Sequence, residues 1–243
     1  MQILVLAALA ATTGLGPWAW LAGIAYGAEL WAVLRHQTLG PADRVTLFRA
    51  TLVGGVTALA VDALTGTGPA PRAVLVPLAA LALSLDSVDG WVARRTHTES
   101  ERGARFDYEV DAYLLLVLSV YLVRPAGVWV LAIGAMRYAF IAAGWALPWL
   151  RAPLPGRLWG KAVAVIQGIA LVVAAADVLP RALNVVMLAV ALALLVESFG
   201  RSIVWLWRHR ALRGPGLESL PGRPVRRRRH DDPAVRQRRD AAA

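Results

Sequence analysis

Residues 86–111 read DSVDGWVARRTHTESERGARFDYEVD, and four carboxylates, Asp86, Asp89, Asp107 and Asp111, fall within or at the edges of two apolar runs, 72–93 and 105–123. A charged side chain near the centre of a bilayer costs on the order of 3 kcal/mol on insertion scales, so acids in this setting face a cavity and take a partner. At about 100° per residue, Asp86, Asp89, Gly90, Ala93 and, more loosely, Arg94 share one face of the first helix, and Asp107 and Asp111 share a face of the next. Two such faces opposed to each other make one oxygen-rich pocket. At a rise of 1.5 Å per residue, Asp86 sits roughly 12 Å from the Arg94 end of its helix and Asp111 roughly 9 Å past Arg105. The pocket therefore opens toward the membrane surface that carries the arginines, away from the bilayer centre.

The rest of the chain supports a membrane setting. Of its 243 residues 58% are hydrophobic, and the mean hydropathy of +0.53 is too high for an ordinary soluble domain. Runs of the length needed to span a bilayer cover residues 17–35, 46–63, 72–93, 105–123, 127–147, 162–180 and 182–207. Residues 1–13 are apolar but short, are set off by Gly14, Gly16 and Pro17, and read as an extension of the first span. No basic region precedes them, so a cleaved signal peptide is not expected. Alternate loops hold Arg35, Arg44 and Arg49, then Arg94, Arg95, Arg102 and Arg105, then Arg151, Arg157 and Lys161, then the basic tail. The opposite loops hold Arg72, Arg124 and Arg181. By the positive-inside rule the first set and the C-terminus are cytoplasmic. Trp18, Trp20, Trp145, Trp149, Trp205 and Trp207 lie near span ends, as interfacial anchors do.

Residues 208–243, with the run Arg226 to Arg229, are too polar to bury a core and read as a disordered tail. Beside a membrane, anionic headgroups are the simplest partner for it, and no nucleic acid is expected. There is no cysteine, which excludes disulfides, thiolate metal sites and cysteine nucleophiles. His36, His97, His209 and His230 show no paired ligand spacing and read as surface residues.

Carboxylate oxygens without thiolate or imidazole suit hard cations such as Mg²⁺ or Mn²⁺. A pair of such ions clamps the attacking and leaving oxygens of a phosphoryl transfer. Gly90 and Ala93 leave room for a bulky ligand, and Arg94 offers phosphate a planar fork. The competing explanation, a network of interfacial ion pairs between the acids and Arg94, Arg95, Arg102 and Arg105, requires no fixed spacing. Two other functions fit the sequence less well. A magnesium-dependent membrane prenyltransferase has two separate aspartate-rich elements, and none follows residue 111. An ion-coupled transporter places its acids at the midplane, often between internal repeats, and none is apparent here.

The order D-x2-D-G-x2-A-R-x8-G-x3-D-x3-D, met by Asp86, Asp89, Gly90, Ala93, Arg94, Gly103, Asp107 and Asp111, resembles the signature of the CDP-alcohol phosphotransferase (CDP-alcohol phosphatidyltransferase) family. PADRVT, residues 41–46, is similar to the segment before that family's first core span. The resemblance implies an all-α integral membrane fold. Its six-helix core would lie in a domain at 41–207, with an extra transmembrane segment at 1–40 and the basic tail at 208–243. It also implies two ions, Mg²⁺ or Mn²⁺, on Asp86, Asp89, Asp107 and Asp111, with Asp111 also the base that deprotonates the acceptor hydroxyl. In similar proteins the CDP-linked lipid is held at the positions of Asp43, Arg44, Val45 and Thr46, of Gly90 and Arg94, and of Ser100 and Gly103.

The implied reaction is attack of an alcohol on CDP-diacylglycerol with release of CMP, a step of phospholipid biosynthesis at the cytoplasmic face of the cell membrane, in a homodimer. Acceptor residues are expected among Arg137, near the centre of an apolar span, Arg157 and Lys161. The stretch Arg157 to Gln167 resembles the G-K-x-K-T-x2-Q element of members that use glycerol phosphate. It keeps Gly160, Lys161 and Gln167, while Ala162, Val163 and Ala164 break its middle. Glycerol phosphate, inositol phosphate, serine, another alcohol and a second lipid all stay open as acceptors.

Overall fold

An apolar chain that must satisfy its backbone without water does so by winding into helices, and every regular element among the described residues is helical. The computed structural model describes residues 1–35, 41–66, 71–96, 101–152 and 158–209, without the side chains of 34, 41–44, 87–96, 101–102 and 158. In chain order the helices are α1 (Gln2–Thr13), α2 (Pro17–Leu34), α3 (Pro41–Thr65), α4 (Arg72–Thr96), α5 (Glu101–Tyr121), the single turn α6 (Val123–Ala126), α7 (Leu131–Ala146), α8 (Leu158–Ala176) and α9 (Arg181–His209). Each of the seven apolar runs is a helix. Four stretches, Val45–Thr65, Val128–Ala146, Trp159–Ala176 and Arg181–His209, are long and apolar enough to cross a membrane. The tail from residue 210 onward lies outside the described residues.

The N-terminus differs from the expectation of one extended span. Gly14 takes the left-handed conformation, φ 70° and ψ 48°, and its N–H bonds to the Ala10 carbonyl. Glycine adopts this geometry without a Cβ clash, so it ends α1. Pro17 then opens α2, where its missing N–H is no loss. The first 34 residues are thus two helices, and Leu6 of α1 is fully buried.

Helix α3 is the centre of the bundle. It packs against α1, α2, α4 and α5, and every residue from 49 to 60 is buried. Its far end is tied down by polar contacts. Asp62 accepts from the Gly16 N–H at 2.8 Å, and the Arg124 guanidinium donates to the carbonyls of Ala63 and Leu64 at 3.0 and 2.5 Å. These carbonyls belong to the last turn of α3, which lacks partners within the helix and favours a cation. The outer helices α8 and α9 pack on each other and turn Val165, Ile169, Val186, Val190 and Val196 outward. An apolar surface of this extent marks contact with lipid or another apolar partner.

Helices α5 and α7 approach closely at Gly134, where a Cβ would fall on the backbone of Leu116. No side-chain rotation relieves such a clash, because the obstacle is main chain. Gly134→Ala should therefore destabilise the detergent-solubilised protein by about 1–3 kcal/mol, the usual range for overpacking. A thermal unfolding midpoint unchanged from wild type would show that the two helices are not held at this distance.

Candidate active site

Asp86 lies on α4, and Asp107 and Asp111 lie one turn apart on α5, so the i, i+4 spacing sets both α5 carboxylates on the same side. The packing brings the three together, each offering an oxygen within 4.8 Å of the others. Their side chains are about one-third exposed. The two-helix pocket expected from the spacing is therefore present for these residues. Asp89, Gly90 and Arg94 continue α4 beyond Asp86, and Asp43 and Arg44 open α3, but the side chains of these residues lie outside the described set. Ser100 and Arg157 lie outside the described residues altogether. Thr46 is buried and Val45 half-buried in the early turns of α3, and Gly103 is half-buried near the start of α5.

The cation among these carboxylates comes from a residue the sequence reading counted only as a positive charge at a span end. Arg49 of α3 is fully buried. Its guanidinium donates to Asp86 Oδ1 at 2.5 Å, to Asp107 Oδ1 and to the Asp107 carbonyl at 3.3 Å, and lies 3.2 Å from Asp111 Oδ1. The signal that could have found it was present. Arg49 stands inside the apolar run 46–63, so the same insertion cost that singles out Asp86 applies to it. It was missed because a basic residue three positions into a span was read as interfacial.

Among the described contacts, three carboxylates face one guanidinium, an excess of two formal negative charges over that cation. That excess, on hard oxygen donors held within 4.8 Å, fits a divalent cation of the Mg²⁺ or Mn²⁺ type. Asp86, Asp107 and Asp111 are thus able to hold metal.

Asp111 has a second role in the architecture, for it also lines a cavity of about 380 Å³. The walls come from α5, α7, α8 and α9 and are mostly apolar, with Met136, Phe140 and Phe199 among them. Arg137 lies in this wall, as expected of a cation inside an apolar span. Its partner, however, is a protein group: Glu109 of α5 accepts from the guanidinium. The half-buried Arg137 charge thus has a counter-charge within the protein. Lys161, in the first turn of α8, is exposed, and although its neighbour Gly160 lines the cavity, Lys161 does not. Gln167 lines it as well, fully buried, with its amide N–H donating to the Ala191 carbonyl at 2.7 Å across to α9.

A carboxylate cluster suited to divalent metal thus shares one aspartate with a mostly apolar cavity. A model of the CDP-alcohol phosphatidyltransferase family matches residues 39–197, well over half of the chain. No curated protein and no solved structure matches the chain. The match takes in α3, α4, α5, α7 and α8 and the first part of α9, and on it the chain belongs to the CDP-alcohol phosphatidyltransferase family.

Proposed function

We propose that this enzyme transfers the phosphatidyl group of CDP-diacylglycerol to an alcohol and releases CMP, in the synthesis of a phospholipid. The observation that carries the reading is the double position of Asp111, which stands in the carboxylate cluster and in the cavity wall at once. A base there reaches an alcohol in the cavity while the donor phosphate lies over the cluster. In this reading Asp86, Asp89, Asp107 and Asp111 hold two ions, Mg²⁺ or Mn²⁺. Such ions, when bound, stabilise charge on the transferring phosphate and on the departing CMP.

The chain's own groups do the rest. Asp111 takes the proton from the acceptor hydroxyl. The oxygen so freed bonds to the lipid-side phosphorus, and the bond from that phosphorus to the bridging oxygen breaks, with its electron pair leaving on CMP. Asp43, Arg44, Val45 and Thr46 at the start of α3, with Gly90, Arg94, Ser100 and Gly103, seat the CDP end of the donor. Arg137 orients the acceptor from within the cavity, and Arg157 and Lys161 meet it at the membrane surface. The positive-inside bias of the loops supports a multi-pass arrangement with the site facing the cytoplasm. Within it α3, α4, α5, α7, α8 and α9 form the six-helix core and the α1–α2 segment is an addition. A homodimer is expected from the family.

Three measurements test this. Membranes supplied with CDP-diacylglycerol, Mn²⁺ and candidate alcohols should release CMP, and Asp111→Asn should lower the rate at least about 100-fold, the lower end for loss of a general base. Undiminished release from that variant would sink the assignment of the base. Arg137→Ala should raise the acceptor KM with kcat nearly unchanged, the pattern of lost uniform binding; wild-type kinetics would remove Arg137 from the acceptor site. Because the chain has no cysteine, Lys161→Cys supplies a unique label, and a membrane-impermeant maleimide should reach it only from the cytoplasmic side. Labelling from outside intact cells would invert the topology.

A further inference from the structure

Arg49 presents a problem that the transfer chemistry alone does not resolve. Its guanidinium takes one oxygen from each of Asp86, Asp107 and Asp111, and these are the residues whose oxygens form the candidate metal cluster. A guanidinium and a divalent cation that draw on the same three carboxylates repel each other at short range. We infer that Arg49 is a tethered competitor of the metal, a positioning residue that holds the aspartates of α4 and α5 together and yields at least part of its contacts when a divalent cation loads. The inference rests on the proposed metal site and adds to it a resident cation from α3.

Two physical points favour this over a fixed structural ion pair. An arginine side chain has several rotatable bonds and a planar fork, so it can release one carboxylate while keeping another. The Asp107 carbonyl, 3.3 Å from the same guanidinium nitrogen that serves the Asp107 carboxylate, is an acceptor that a metal on the carboxylates would leave to it. Arg49 can thus shift its hydrogen bonding toward main chain as the carboxylates turn to metal. Without the Arg49 guanidinium or a metal between them, three carboxylates within 4.8 Å of one another repel each other more strongly.

The test compares the purified full-length wild type with Arg49→Gln and Arg49→Lys in detergent, by thermal unfolding in EDTA and across a Mn²⁺ titration, with free Mn²⁺ followed by electron paramagnetic resonance. Arg49→Gln should unfold at a lower temperature than wild type in EDTA, gain more from Mn²⁺, and bind Mn²⁺ about tenfold more tightly, a factor within the usual range of coupling between linked sites. Arg49→Lys keeps the charge without the fork and should fall between the two. A buried arginine of purely structural role would lower the unfolding temperature equally with and without Mn²⁺. Equal or weaker Mn²⁺ binding by Arg49→Gln overturns the inference, as does an Arg49→Gln protein that Mn²⁺ fails to restore. Should Mn²⁺ shift neither wild type nor variant, the metal site itself is wrong. If Mn²⁺ shifts wild type and Arg49→Gln alike, only the role of Arg49 falls.

Discussion

The ion pairing of Arg49 with three aspartates sets the relation of the three helices that build the site. Bringing one guanidinium and several carboxylates out of water carries a desolvation penalty of several kcal/mol per ion, recovered only where geometry lets each charge meet another. Arg49 is fully buried in the first half of α3, whereas its partners come from α4 and α5. Rotating any one of these helices by a fraction of a turn would strand a charge in apolar surroundings. The pairing therefore specifies register and rotation, tasks for which the surrounding Leu, Val and Ala side chains are poorly suited because they pack in many ways.

Elsewhere in the bundle, polar groups are handled locally. Thr51 and Ser119 donate to carbonyls one turn back on their own helices, at 2.9 and 2.8 Å. This lets a hydroxyl sit among apolar side chains with its hydrogen bond met inside its own helix. Interhelical polar contacts are fewer and sit at chosen places. Asp62 and Arg124 lie at the far end of α3, and Gln167 joins α8 to α9 beside the cavity. The stacked rings of Tyr26 and Tyr113, with centroids 5.0 Å apart, join the N-terminal α2 to α5 on the helix that carries Asp107 and Asp111. The N-terminal helices are thus packed into the same framework as the site.

The cavity beside Asp111 bears on the acceptor. Its walls are mostly apolar, and its one basic side chain among the described residues, Arg137, is already paired with Glu109. A phosphorylated acceptor would have to share Arg137 with that glutamate or rely on cations outside the cavity, of which Lys161 is one. The broken middle of the Arg157 to Gln167 element points the same way, since the residues missing from it include a second lysine. Membership in the family implies a CDP-alcohol donor, while in the proposed reading the cavity's composition bears on the acceptor.

What the sequence determined by itself was local and periodic. Hydropathy marked the helices, and spacings of three and four residues placed Asp86 and Asp89 on one face and Asp107 and Asp111 on another. The fixed order of eight residues identified the family. Each of these follows from the geometry of a single helix, which a linear pattern encodes directly. Only the tertiary structure decided which charges meet. Arg49 reaches Asp86 across 37 positions and Asp107 across 58, and Arg137 reaches Glu109 across 28. Lys161, close to the cavity in sequence, is turned to the outside. The N-terminal break at Gly14 likewise became decisive only once α1 had α2 and α3 to pack against. Such partnerships depend on how helices rotate and seat against one another, and that is set by the sum of many weak apolar contacts and a few buried charges, which no short stretch of sequence records.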